Sequence, residues 1–156
     1  MPILDAKTVF ARNANISAGS GATILATGST VWTGAIVDGG VQVVDQEKAG
    51  DAVGQELTVK VVVGDTAISG TSATTAQFKL QTGGTNAVTS GGSAVTSNFK
   101  DLLMTGPIAV NGAKTGTVLA CFRIPEGTER YLRVIGVIGG AACSAGTVSI
   151  YATRDL

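Results

Sequence analysis

The chain has 156 residues, enough for one domain with a substantial core and too few for two comfortable ones. Eleven basic and eleven acidic side chains cancel, so no long-range field draws the protein to nucleic acid or to an anionic membrane surface. Histidine is absent, which removes the commonest general base near neutral pH and the commonest zinc ligand. Twenty-two glycines among abundant Thr, Ser, Ala and Val favour short strands and tight turns, an all-β class.

The first twenty residues scatter Ile3, Leu4, Val9, Phe10 and Ile16 among polar side chains, with no helix caps and no continuous strand alternation. They read as an extended N-terminal arm, residues 1–20, ahead of a β-sandwich body, residues 21–156. Thr23 to Trp32 reads as the first core strand, broken near Thr27-Gly28-Ser29. Thr33 to Gln55 is an acidic insertion in which Val41-Gln-Val-Val44 suits a polar surface hairpin; a segment this long either carries its own strand or contacts something. Glu56 to Val63 is the clearest strand, with Leu57, Val59, Val61 and Val63 on one face and Glu56, Thr58 and Lys60 on the other. Val62 is the exception, an apolar residue on the outer face.

Ala76 to Gln81 repeats the period with Phe78 and Leu80 inward, and Thr82 to Asn86 is a turn. Val88 to Thr96 has the Gly/Ser/Thr composition of a mobile loop. Asn98 to Met104 and Gly106 to Val110 give a strand and a corner, and Asn111 to Gly116 turns the chain into its last third. There, Gly116 to Gly140 reads as two strands joined as a hairpin by Pro125-Glu-Gly-Thr-Glu129. Val118, Ala120, Phe122 and Ile124 share one face of the first strand; on the second, Leu132 and Val134 oppose Tyr131 and Arg133. Thr147 to Thr153 closes the chain with the same alternation. Seven or eight strands at this spacing describe a sandwich, and jelly-roll and immunoglobulin-like topologies share such a string.

No arrangement of residues demands a cofactor, a metal or a catalytic role. Glu126 and Glu129 flank a turn and lack any sign of the cleft that a glycosidase carboxylate pair requires. Asp38, Asp45, Glu47 and Asp51 lack the calcium-loop spacing, and Gly19-Ser-Gly21 and Gly83-Gly84 lack the lysine and helix of a phosphate loop. Cys121 and Cys143 read as free thiols packed in the core or between subunits, with a single bridge left open. No secretory signal opens the chain and no apolar run reaches the roughly 20 residues of a bilayer span, so synthesis in the cytoplasm is expected.

Three stretches, Pro125-Glu-Gly-Thr-Glu-Arg-Tyr-Leu-Arg133, Ala145-Gly-Thr-Val148, and Leu4-Asp-Ala-Lys-Thr-Val-Phe10 leading into Ala14-Asn-Ile-Ser-Ala18, bracket nearly the whole chain. Together they resemble the small jelly-roll cement, or decoration, proteins that tailed double-stranded-DNA phages place on their capsids. The middle, Thr33 to Gln55, departs from that pattern as a longer insertion. The resemblance implies a non-enzymatic virion protein on the outer capsid surface, a homotrimer at local threefold positions that grips the major capsid protein. Its candidate contact residues are Val9 and Phe10 in the arm, and Arg130, Tyr131 and Arg133, since arginine and tyrosine are enriched where proteins meet. For Arg133 the alternative is stacking on an aromatic ring or pairing with an acid of its own sheet. Val62, Cys121 and Tyr151, on outward strand faces, point to a subunit seam. A second reading is a carbohydrate-binding or adhesin module that uses Trp32, Tyr131 and Tyr151 as a sugar-stacking platform.

Overall fold

The computed structural model describes residues 9–24, 30–31, 42–45, 57–90 and 94–154. Eleven strands run through these residues: β1 (Val9–Asn15), β2 (Thr23–Ile24), β3 (Thr30–Val31), β4 (Gln42–Asp45), β5 (Leu57–Val63), β6 (Thr74–Gly83), β7 (Phe99–Met104), β8 (Ile108–Ala109), β9 (Val118–Arg123), β10 (Tyr131–Gly140) and β11 (Thr147–Arg154). The helical turns among them are single 3-10 turns at Thr85–Ala87 and Thr96–Asn98.

The strands form two sheets, one in the order β1-β11-β5-β9 and the other β3-β4-β10-β6-β7, with β2 added to β10 and β8 to β6. Every pairing is antiparallel except β3 with β4. Period-two alternation gives each sheet one apolar face. Val59, Val61, Val63, Ala120, Phe122, Val148 and Ile150 of the first sheet meet Ala76, Phe78, Leu80, Leu132, Val134 and Ile138 of the second in one buried core. Burying a side chain of this size contributes about 1.5–3 kcal/mol, whereas strand propensities span only ~1 kcal/mol, so packing of the two faces outweighs local preference.

Among the eight longer strands, β6 and β7 are the one consecutive pair that shares a sheet; every other step along the chain crosses from one sheet to the other. An immunoglobulin arrangement, which keeps three consecutive pairs together, is therefore not this one. The hairpin expected over Gly116 to Gly140 is corrected by the same order. β9 pairs with β5 and β10 with β6, so the Pro125 to Arg130 connection is an arch between sheets. Alternation is identical in a hairpin and an arch. Gly127 turns with φ of 81°, and the buried Thr82 hydroxyl holds the arch down, accepting from the Glu129 N–H at 2.8 Å and donating to the Tyr131 carbonyl at 3.2 Å.

The arm expected over residues 1–20 is corrected over part of its length. Val9–Asn15 is an edge strand paired with β11, and Phe10, Ala11, Ala14 and Ile16 belong to the core. Two register shifts and Asn13 at φ 47° break the alternation, which is why the sequence hides a strand here. Residues 1–8 lie outside the described residues. A register shift in the β5–β9 pairing likewise changes the expected face of β9. Ala120 and Phe122 point inward, Leu119 packs against the core, and Val118 turns outward at 54% exposure. Of the Thr33 to Gln55 insertion the described part is β4, which lies between β3 and β10 in the sheet and is no surface hairpin. Asp38, Glu47, Asp51 and Trp32 lie outside the described residues.

Core membership makes Phe10 the test of β1. Phe10→Ala is expected to cost about 3–5 kcal/mol in urea unfolding; a loss under ~1 kcal/mol is what a dispensable arm residue would give.

Candidate protein interface

β10 pairs with β6 over its whole length, from Tyr131 opposite Gly83 to Gly140 opposite Thr74. With Leu132 and Val134 in the core, Tyr131 and Arg133 face outward, as the sequence predicts. Register then sets Arg133 beside Gln81 of β6 and Gln81 beside Asp101 of β7, a polar row across three strands on the outer face of the second sheet.

Arg133 is nonetheless 1% exposed. Its Nε donates to Gln81 Oε1 at 2.7 Å, Gln81 Nε2 donates to Asp101 Oδ1 at 2.6 Å, and Lys79 Nζ donates to Asp101 Oδ2 at 2.9 Å. The guanidinium lies over the Phe99 ring, 4.0 Å from its centroid, and Nη2 donates to the Thr96 carbonyl at 3.4 Å. Nη1 is buried without a hydrogen-bond partner. The hydrogen bond from Gln81 and then that from Lys79 hold the Asp101 carboxyl below its usual pKa, against an opposing effect of burial. Burial lowers the Arg133 pKa, and the charge of Asp101 works the other way. The alternative reading of Arg133 is thus the observed one: it stacks on an aromatic ring and reaches an acid of its own sheet through Gln81.

The remaining candidates divide. Tyr131 is buried with Ala87 and Phe99 in a small second core, and the half-buried Arg130 lies over its ring at 5.1 Å. Val9 and Phe10 are 3% and 1% exposed. Four of the five side chains offered for contact are therefore buried within their own chain, and Arg130 alone of them reaches solvent. Val62, Cys121 and Tyr151 do lie on the outer face of the first sheet, where Val62 pairs with Val118, and Lys60 with both Cys121 and Tyr151. Tyr131 and Tyr151 occupy opposite outer faces of the sandwich, so they do not form one sugar-stacking platform. Glu129 pairs with Lys100 at 3.0 Å, while Glu126 is exposed on the arch.

Sequence reasoning missed Gln81, Asp101, Phe99 and Thr96. Gln77, Lys79 and Gln81 alternate visibly on β6, but only strand register brings Phe99 and Asp101 to them. Both cysteines are free, Cys121 exposed and Cys143 buried. Burial pushes the Cys143 thiol up in pKa, and its Sγ donates to the Ala145 carbonyl at 3.3 Å. Among the described residues no group of three or more His, Cys, Asp or Glu side chains could hold a metal. No family model matches the chain, and no curated protein matches it.

Two measurements follow from this geometry. A carboxylate whose folded pKa is depressed stabilises the fold above its unfolded pKa of about 3.9, and that contribution is lost as pH falls through the lower folded value. Asp101→Asn should therefore flatten the acid limb of the melting temperature against pH. Its cost at pH 7 should stay near ~1 kcal/mol, because Asp101 is partly solvated. In the second, a thiol reagent should label Cys121 in the folded protein, with Cys143 reacting only on unfolding; equal rates would contradict the burial.

Proposed function

We propose that the protein is a trimeric capsid cement protein, a structural clip on the outer surface of a tailed-phage shell. The observation that carries the reading is the strand order. Eight longer strands in sheets β1-β11-β5-β9 and β4-β10-β6-β7, with a single hairpin between β6 and β7, fit a jelly roll, the fold that the resemblance implies for the whole chain. A shell under internal pressure fails first where its subunits meet, and a rigid trimer clipped across such a point raises the work of separation. With no net charge to contribute, attachment rests on apolar burial and on avidity among three copies.

With Val9, Phe10, Tyr131 and Arg133 buried in the chain, the proposed contacts rest on the outer face of the first sheet, where Val62, Cys121 and Tyr151 mark the expected subunit seam. Val118 is 54% exposed there, beside Val62 and near the exposed Cys121. Met104, at 55%, is the other large exposed apolar residue among the described ones, and it pairs with Lys79 on the opposite outer face.

Light scattering coupled to size exclusion should find a trimer at micromolar concentration, and the protein should co-sediment with mature empty capsids. Val118→Glu should weaken self-association at least about tenfold, a difference of 1.4 kcal/mol, while Met104→Glu leaves it unchanged. A monomer that also fails to bind capsids would refute the reading. A glycan array is the test on which the carbohydrate-binding alternative would have to succeed.

A further inference from the structure

Five asparagines stand in the chain, Asn13, Asn15, Asn86, Asn98 and Asn111, and only Asn111 is followed by glycine. That pair carries a chemistry of its own. The side-chain amide of an asparagine can be attacked by the backbone nitrogen of the next residue, and a following Cβ hinders the approach. Asn-Gly is therefore the most susceptible sequence.

In the fold, Asn111 and Gly112 are the central residues of a turn from Val110 to Ala113, closed by the Ala113 N–H on the Val110 carbonyl at 3.1 Å. Gly112 has φ of 77° while Asn111 keeps a negative φ, the type II pattern that calls for glycine in this place. The glycine that the backbone needs is thus the residue that opens Asn111 to attack. Both are exposed, so water reaches them.

The turn is docked on the connection between β5 and β6. The Gly112 N–H donates to the Ile68 carbonyl at 3.0 Å, and the Ile68 N–H to the Ala113 carbonyl at 3.0 Å. The Gly70 N–H donates to Asn111 Oδ1 at 3.1 Å, so the side chain extends this short ladder in place of a main-chain carbonyl. Ile68 and Val110 beneath it are 1% and 0% exposed. Both reacting groups are engaged: the nitrogen that would attack has committed its proton to Ile68, and the amide that would be attacked is held by Gly70.

We propose that Asn111 is a spontaneous modification site that the folded corner keeps closed and that converts in chains whose turn has lifted away. The Gly112 nitrogen then loses its proton to solvent and bonds to Asn111 Cγ, the side-chain nitrogen leaves as ammonia, and a succinimide ring results. Water reopens the ring at either carbonyl. Addition at Cγ gives aspartate, and addition at the Asn111 main-chain carbonyl gives isoaspartate, whose main chain runs through the side-chain methylene. No redox change is involved. Aspartate still offers an oxygen to Gly70, whereas isoaspartate lengthens the backbone inside the turn and carries the Gly112 N–H away from Ile68. A chain open long enough to form isoaspartate therefore cannot close this corner as before. The inference concerns the free chain and stands apart from the capsid reading.

Mass mapping of peptides from the purified full chain, held at mildly alkaline pH in buffer and in urea, tests it. Asn111 is expected to be the first asparagine converted in urea, and to convert at least about tenfold more slowly in buffer, because opening of the turn must precede the chemistry. Chains bearing isoaspartate, separated by chromatography and refolded, should unfold at lower urea concentration than unmodified protein, whereas Asn111→Asp should unfold with the wild type. Equal conversion in buffer and urea, an earlier conversion at another asparagine, or isoaspartate chains as stable as Asn111→Asp would overturn the proposal.

Discussion

Burial of β10 on both faces is the constraint on which the rest of the second sheet depends. The strand pairs with β6 along its full length and with β4 and β2 on its other edge, so those three are placed by it, and β7 and β8 follow through β6. A strand covered on one side only needs alternating apolar and polar residues. β10 also buries its outward positions Tyr131, Arg133 and Ile135, so its polar outward residue must find partners within the protein.

Arg133 meets that demand incompletely. Removing one partner from a buried charge typically costs ~3–5 kcal/mol, far more than the ~0–1 kcal/mol of an exposed ion pair such as Lys100 with Glu129. The buried bond from Arg133 to Gln81 is thus the energetically weighty polar feature of this face, and the partly solvated Asp101 and the surface pairs are secondary. That bond also fixes geometry. A slip of one residue between β6 and β10 would turn Gln81 to the other face of the sheet and leave the guanidinium with its aromatic stack alone.

Much of this was legible in the sequence where packing and period agree. Val59, Val61 and Val63, Phe78 and Leu80, and Leu132 and Val134 take the faces their alternation predicts, and the all-β sandwich follows from them. The errors lie where backbone geometry departs from a regular ladder. Asn13 at positive φ concealed β1, the β9 register shift turned Val118 outward, and an arch was read as a hairpin because nothing in a strand's period reveals which sheet it joins. The burial of four of the five contact candidates has a related cause. Arginine and tyrosine mark surfaces that meet something, and here the partner of Tyr131 and Arg133 is a segment of the same chain.

The pairing of β1 with β11 has a kinetic consequence. Asn13 and Ser149, joined by two hydrogen bonds, stand 136 positions apart. During synthesis the apolar run Val9-Phe10-Ala11 leaves the ribosome long before the strand that will cover it exists. Most of the other ladders also join distant segments, and such topologies fold slowly because loop closure precedes the contacts that reward it. The nascent chain thus carries an unpaired, partly apolar edge through most of its synthesis, the kind of intermediate that chaperones shield. The irregular backbone around Asn13 makes that edge a poor template for stray strands while it waits.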